Sequence, residues 1–189
     1  MSLFKNTFRI ESTRLKGWDY STEWWYYVTI NTQHHIEYFG TIVDGKMVLN
    51  ELGIIAHQEW LKTKELRKNV DLDYYVVMPN HIHGIIIING SEVETHRVRL
   101  ENKNDFVGDA FDASLRIVRN CLSDIIRGFK SSVTKQIHQN GFINFVWQPR
   151  FYDRIIRDEK EIFQIRKYIE QNPLKWEIEK NNPENIFEL

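Results

Sequence analysis

Two histidines stand one residue apart at the start of the most apolar stretch of the chain. His81 and His83 open the segment HIHGIIII, which ends at Ile88. Side chains alternate between faces along a strand, so the two imidazoles should project from the same side. Two imidazoles placed in this way can bind one divalent cation, with the metal about 2 Å from each nitrogen. Surface or hydrogen-bonded histidines are the alternative, and the spacing alone leaves it open.

A tyrosine and an asparagine near the C-terminus form a second candidate pair. In YIEQNP, Tyr168 and Asn172 are four residues apart, which places them on one face of a predicted helix. A phenol is a potential nucleophile and an amide oxygen is a potential metal ligand. A structural interpretation competes with this one, because Tyr168 continues an apolar stripe and Asn172 before Pro173 is a natural helix stop. From spacing alone, that structural interpretation is favoured.

The elements that must position these residues follow from the hydrophobic pattern. The segment WYYVTIN, residues 25–31, predicts a strand, and Asp44-Gly45 predicts a hairpin turn. Asn50 is a predicted N-cap for a helix with apolar residues at helical spacing. Strands are predicted at 72–78 and 81–88, on either side of a Pro79-Asn80 turn. The order is therefore β-hairpin, helix, β-hairpin.

The second half of the chain is predicted to be mainly helical. Apolar residues recur at helical spacing from Ser114, and Gly128 indicates a break. Asp158 is a predicted N-cap for the last helix, which should end near Asn172 because Pro173 follows. The chain, 189 residues long, is predicted to be one domain. Residues 1–20 would form an N-terminal arm, 90–112 a flexible loop and 174–189 a C-terminal tail.

Charge is distributed unevenly along a chain whose net charge is only −1. Residues 113–157 hold eight basic side chains against two acidic ones, a local charge of +6, whereas residues 71–112 carry −5. A basic C-terminal half favours a phosphate-rich partner on one face. Ordinary solvated helix faces explain the same charges equally well.

Composition limits the class of protein. A 42% hydrophobic and 27% charged chain is typical of a globular protein. The single cysteine, Cys121, cannot form an internal disulfide, which favours a cytoplasmic protein. No apolar run approaches the roughly 18 residues that span a bilayer, so no membrane association is expected.

Three blocks together resemble the signature motifs of the single-tyrosine HUH transposases. They are MPNHIHG (78–84), WQPRFYDRIIR (147–157) and YIEQNPLK (168–175). The similarity is greatest to the group of REP-associated tyrosine transposases, and it extends from about Arg14 to Asn182. Each block alone is a weak signal, but three in order at suitable separations are specific.

The resemblance implies a fold and a set of site residues. The implied fold is α+β, a ferredoxin-like antiparallel sheet with helices packed on one face. His81 and His83 match the HUH histidines, Tyr168 matches the nucleophile, and Asn172 matches the third metal ligand. The insertion-sequence branch has Gln where this chain has the shorter Asn172.

The implied activity is nicking and strand transfer of single-stranded or hairpin DNA. A 5′-phosphotyrosine intermediate conserves the energy of the phosphodiester bond. Because tyrosine is a weak nucleophile, a divalent ion, Mg²⁺ or Mn²⁺, is expected to polarise the phosphate. Neutral ligands leave the full charge of the ion for that task.

Basic and aromatic residues in the second half are the predicted DNA contacts, because such a mixture neutralises phosphates and stacks on bases. The candidates are Arg127, Lys130, Trp147, Arg150, Arg154 and Arg157. Each aromatic among them also suits the core. The sequence does not distinguish a monomer from a homodimer.

Two other functions compete with the transposase-like one. A domesticated protein of the same fold would bind DNA hairpins without cutting, although the complete set of four site residues argues against lost catalysis. A metal-dependent phosphoesterase that uses water would have no need of Tyr168.

Overall fold

The computed structural model of the chain describes residues 3–4, 7–8, 14–90 and 121–181. Its helices and strands, in chain order, are β1 (Leu3–Phe4), β2 (Thr7–Phe8), β3 (Trp24–Asn31), β4 (Gly40–Val43), β5 (Lys46–Leu49), α1 (Glu51–Glu65), β6 (Val70–Val77), β7 (His81–Ile88), α2 (Leu122–Gln139), β8 (Tyr152–Ile155) and α3 (Glu159–Asn181). The predicted loop over 90–112 lies, after residue 90, outside the described residues.

Four of the strands form the main antiparallel sheet. Their order across the sheet is β6-β7-β3-β8, and every neighbouring pair is antiparallel. With α1 between β3 and β6, and α2 between β7 and β8, this is a ferredoxin-like arrangement, which confirms the predicted α+β class. The hairpin β4–β5 and the pair β1–β2 form separate two-stranded sheets.

The larger core lies between the sheet and the two crossover helices. Tyr26, Val28 and Ile30 alternate along β3 and point to this side, where Trp60 of α1 is almost completely buried. Gly84 of β7 lets the helix approach closely, because a Cβ there would lie 2.3 Å from the Trp60 ring. The sheet and α1 therefore touch at a position that admits no side chain.

The third helix covers the opposite face of the sheet. Tyr27 and Ile85 pack there against Ile156 and against Ile169 of α3. The prediction of helices on one face therefore holds for α1 and α2, whereas α3 differs. The physical reason is that β3 and β7 carry apolar side chains on both faces, and both faces must be covered.

Local signals predicted several boundaries correctly. The Asn50 side chain accepts a hydrogen bond from the Gly53 amide at 2.9 Å, and the Asp158 side chain accepts one from the Glu161 amide at 2.8 Å. Both predicted helix starts are thus confirmed. The β4–β5 turn has φ values of 51° at Asp44 and 66° at Gly45, as a two-residue hairpin turn requires.

Two predicted helix interruptions are wrong. The last helix does not end near Asn172 but continues through Pro173 to Asn181, so residues 174–181 are helical rather than part of a tail. Gly128 lies inside α2 without ending it. In both helices packing against other elements outweighs the local preference of one residue.

Candidate active site

Strand register places the two histidines on the face that α3 covers. His83 of β7 is paired with Thr29 of β3, and His81 is paired with Asn31. Directly opposed residues point to the same side, so His81, His83, Tyr27 and Thr29 share this face. His83 is buried, with 5% of its surface exposed.

The two imidazoles converge on one point. The Nε2 atoms of His81 and His83 are 3.0 Å apart, and the ring planes are inclined at 74°. Two nitrogens at that separation can both lie about 2.1 Å from one metal ion. The geometry of the pair therefore fits the predicted metal ligands.

The Nδ1 atom of His81 has a fixed hydrogen-bond partner. It lies 2.6 Å from Oδ1 of Asn80, and the Asn80 amide is oriented by donating from Nδ2 to the His35 carbonyl at 3.0 Å. Because an amide oxygen only accepts, His81 carries its proton on Nδ1. Its Nε2 atom then presents a lone pair.

The Nδ1 atom of His83 instead meets two hydroxyl groups. Tyr27 Oη lies 2.7 Å from it and Thr29 Oγ1 lies 2.9 Å from it. Burial also raises the pKa of Tyr27, so its phenol stays protonated and available for hydrogen bonding.

Burial keeps both histidines neutral. It lowers the pKa of His81 to about 4, with a smaller contribution from the charge of His35. It lowers the pKa of His83 to about 3, with a smaller contribution from His81. Neutral imidazole is the form that binds metal, so near neutral pH neither ring has to lose a positive charge before an ion binds.

One face of α3 brings three further side chains to the histidines. The Tyr168 ring lies edge-on to His83, with 5.2 Å between ring centroids, and 39% of its surface is exposed. Asn172 is buried, and its side-chain amide partly offsets the fall in the pKa of His81. Trp176 lies one turn further on, 5.6 Å from the His81 ring. Tyr168, Asn172 and Trp176 are four residues apart in the sequence, and they therefore form one continuous contact surface along α3.

Contacts at both ends hold α3 in this place. Arg166 donates from Nε to Asp73 of β6 at 2.7 Å, and Glu177 accepts from the Gly45 amide of the β4–β5 turn at 2.7 Å. The site lies between these two anchors.

The candidate ligand set is two imidazoles and an amide. Within the described ranges, no group of three His, Cys, Asp or Glu side chains comes together to hold a metal. An amide oxygen is nevertheless an accepted ligand for divalent ions, as is imidazole nitrogen. His81, His83 and Asn172 are thus the residues that would hold an ion.

The predicted DNA contacts fall into two groups. Arg127, Lys130, Trp147 and Arg150 line a groove between α2 and residues 145–151. Arg154 lies on the site face of β8, opposite Tyr27, and its Nε donates to Glu161 at 2.5 Å. Arg157 follows β8 and is exposed.

Two of these candidates have structural roles in the groove. The Trp147 ring is buried in the main core, as the alternative interpretation of the aromatics expects. Lys130 donates from Nζ to the carbonyl oxygens of Gln148 and Arg150 at 2.8 Å and 2.5 Å, and burial lowers its pKa to about 8. It holds the 148–150 turn in place, while Arg127 is largely exposed beside Asp124.

Several residues of the site were not predicted. Tyr27 and Thr29 lie in a predicted strand, but no motif in the sequence indicates a chemical role for them. Only the pairing of β3 with β7 places them at His83. Trp176 and Lys175 lie in a segment predicted as tail, yet the Lys175 ammonium is 5.4 Å from the centroid of the Tyr168 ring. Asn80 immediately precedes His81. Its place in a turn explained its residue type, so its hydrogen bond to His81 was not predicted.

The fold is shared with a known class of protein. The solved structure of the REP-associated tyrosine transposase bound to a REP hairpin aligns with 88% of this chain and 74% of its own, with a TM-score of 0.54 and 20% sequence identity. The chain therefore shares the fold of that transposase.

A closer relative defines the family. An uncharacterized protein of Haemophilus influenzae is 36% identical over 166 residues, which cover 88% of this chain and 89% of the relative. The chain belongs to the family of that protein. No protein-family model matches this chain.

Across the described parts of the chain, none of the helices combines the length and the apolar character needed to cross a bilayer.

Proposed function

We propose that the protein nicks single-stranded or hairpin-bearing DNA and transfers the cut strand through a covalent bond to Tyr168. The observation that carries the proposal is the contact of the exposed Tyr168 ring with His83, one helical turn from Asn172, whose amide acts on the pKa of His81. The proposal is supported by a candidate nucleophile and three candidate metal ligands that come from two distant segments to one place.

The reaction follows from the residue types. The Tyr168 oxygen attacks the scissile phosphorus, the P–O3′ bond breaks, and the products are a 5′-phosphotyrosine and a 3′-hydroxyl. The phenol proton passes to solvent and the departing 3′ oxygen takes up a proton, so the step is balanced and reversible. A divalent ion held by His81, His83 and Asn172 would stabilise charge developing on the phosphate.

A basic groove supports DNA as the substrate. It encloses about 780 Å³ between α2 and residues 145–151. None of its lining residues is acidic, and Arg127, Lys135 and Arg150 contribute positive charge together with serine and threonine hydroxyls. Such a surface suits a sugar-phosphate backbone.

A hairpin is proposed because the transposase of the same fold is described in complex with a REP hairpin. In this chain the segment that lines the groove continues directly into β8. Tyr152 and Arg154 of that strand face the same side as Tyr27, next to Tyr168. A strand leaving the groove would reach the tyrosine along this edge of the sheet.

The decisive experiment compares Tyr168→Phe with Tyr152→Phe. Both tyrosines are partly exposed and both pack against Tyr27, so Tyr152 is a matched control. Labelled hairpin oligonucleotides are incubated with Mg²⁺ or Mn²⁺, and denaturant-resistant adducts are mapped by mass spectrometry. Wild type and Tyr152→Phe should form an adduct on Tyr168, whereas Tyr168→Phe should bind DNA and metal without forming one.

Other outcomes would assign another function. An adduct on a different tyrosine would refute the assignment of the nucleophile. Nicking by wild type without an adduct would indicate a water-using phosphoesterase. Hairpin binding without nicking would indicate the non-cleaving DNA-binding protein.

A further inference from the structure

The two histidines of the site differ in what their second nitrogen meets. The Nδ1 atom of His81 lies 2.6 Å from the Asn80 amide oxygen, which can only accept a hydrogen bond. His83 faces the hydroxyls of Tyr27 and Thr29 at 2.7 Å and 2.9 Å, and a hydroxyl can either donate or accept. The proton position is therefore fixed on one ring and adjustable on the other.

Without an ion, this difference sets the hydrogen bond between the rings. Their Nε2 atoms are 3.0 Å apart, so one must donate to the other, because two facing lone pairs repel. His81 has its proton on Nδ1, which makes its Nε2 the acceptor. His83 must then carry its proton on Nε2, and its Nδ1 accepts from a hydroxyl.

With an ion, both Nε2 atoms must present lone pairs. His83 then carries its proton on Nδ1 and donates it to Tyr27 or Thr29. The two oxygens are themselves within hydrogen-bond distance, since Thr29 Oγ1 lies 3.3 Å from Tyr27 Oη. Besides the shift of the ring proton from Nε2 to Nδ1, only the two O–H bonds have to rotate, and no ring has to move.

We propose that Tyr27 and Thr29 are positioning residues that let His83 change tautomer when a divalent ion binds. The inference rests on the proposed function in taking His81 and His83 as ligands. One proton leaves Nε2 and one arrives at Nδ1 through exchange with solvent, so the imidazole remains neutral. Outer partners of ligating histidines orient the ring and strengthen metal binding.

The tautomer change is directly observable. In ¹⁵N spectra of the histidine rings, the metal-free protein should show His83 protonated on Nε2 and His81 protonated on Nδ1. Saturation with Mg²⁺, which is diamagnetic, should move the His83 proton to Nδ1 and leave His81 unchanged. A His83 ring protonated on Nδ1 in both states would overturn the proposal.

Variants test the positioning role without relying on activity. Tyr27→Phe and Thr29→Val each remove one hydroxyl and keep the shape, and the double variant removes both. Mn²⁺ affinity measured by electron paramagnetic resonance should fall a few-fold in each single variant, and about 10–100-fold in the double variant. Tyr75→Phe is the matched control, because Tyr75 Oη meets His57 Nδ1 at 3.2 Å away from the site.

The results separate this inference from the proposed function. If the double variant binds Mn²⁺ as wild type does, the positioning role is refuted and the DNA chemistry is untouched. If wild type binds no Mn²⁺, both the inference and the metal-assisted part of the proposed function fail. If metal binding behaves as expected but no adduct forms on Tyr168, only the proposed function fails.

Discussion

His81 and His83 perform the same chemistry in the proposed site but differ in how deeply the fold encloses them. His83 lies inside the sheet and α3, with two hydroxyls around its Nδ1. His81 lies at the strand end and is only partly buried. Both histidines open the same apolar segment in the sequence, but in the structure only His83 is almost completely buried.

Alanine substitution should therefore affect stability unequally. His83→Ala leaves a cavity and removes a hydrogen-bond partner from the buried Tyr27 hydroxyl and the half-buried Thr29 hydroxyl, so it should reduce the free energy of unfolding by about 1–3 kcal/mol. His81→Ala should cost less, while both variants lose metal binding. Urea denaturation of the metal-free proteins measures the difference, and equal losses would contradict the burial of His83.

The neutral histidines also predict a pH dependence. Their pKa values in the fold are about 4 and about 3, below the value of 6.5 for an exposed imidazole. As the pH falls below 6.5, the unfolded chain takes up protons that the folded chain refuses, so stability is lost between about pH 6.5 and pH 4. Above pH 7 the two histidines have no such effect.

The measurement is the unfolding free energy of metal-free protein against pH, for wild type and for His81→Gln/His83→Gln. The curve of the double variant should be flatter through that pH range. Parallel curves would show that the histidines titrate normally in the fold.

At the scale of elements, helices pack closely on both faces of the sheet and hold the site in position. On one face α3 is anchored through Asp73 and Gly45. On the other, α1 approaches β7 at Gly84, the residue that follows the histidine motif. The strand that carries both histidines thus has helices packed directly on both of its faces.

Gly84→Ala should disturb this packing. The new Cβ would lie 2.3 Å from the buried Trp60 ring, which cannot move away, so the expected loss is about 1–3 kcal/mol. Gly128→Ala is the control, since its Cβ would meet the far end of the flexible Arg67 side chain at 2.6 Å, and alanine favours the helix. Thermal unfolding of both variants tests this, and a neutral Gly84→Ala would refute the close contact.

At the scale of the whole molecule, the sheet separates two surfaces. The basic groove lies on the α2 side, and the histidines and Tyr168 lie on the α3 side. Strand β8 at the sheet edge is the connection between them. Recognition and chemistry are therefore proposed to occupy opposite layers of one small fold.

Salt dependence should report on the groove alone. Lys135→Gln removes a groove charge, so affinity for hairpin DNA should weaken and the slope of log K against log salt should fall by about 1. Lys68→Gln, an exposed lysine outside the groove, should change neither. Adduct formation at saturating DNA should be equal in both variants, and an unchanged slope for Lys135→Gln would remove the groove from the proposed DNA surface.

The sequence by itself determined the elements and the candidate residues. Alternating apolar residues, the Asp44-Gly45 turn and the caps at Asn50 and Asp158 depend on neighbours in the chain, so local rules predicted them. The motifs around His81 and Tyr168 identified the candidates because their residue types and spacing are visible without a fold.

Only the tertiary structure decided how these parts meet. The passage of α3 through Pro173 depends on packing against the sheet and the β4–β5 turn, which no local pattern contains. Tyr27 and Thr29 reach His83 only through the pairing of β3 with β7, between segments more than 50 residues apart. The burial of Trp147 and of the two histidines is likewise a property of the assembled fold, because several elements together exclude water from these side chains. For the histidines, this burial is what keeps the rings neutral.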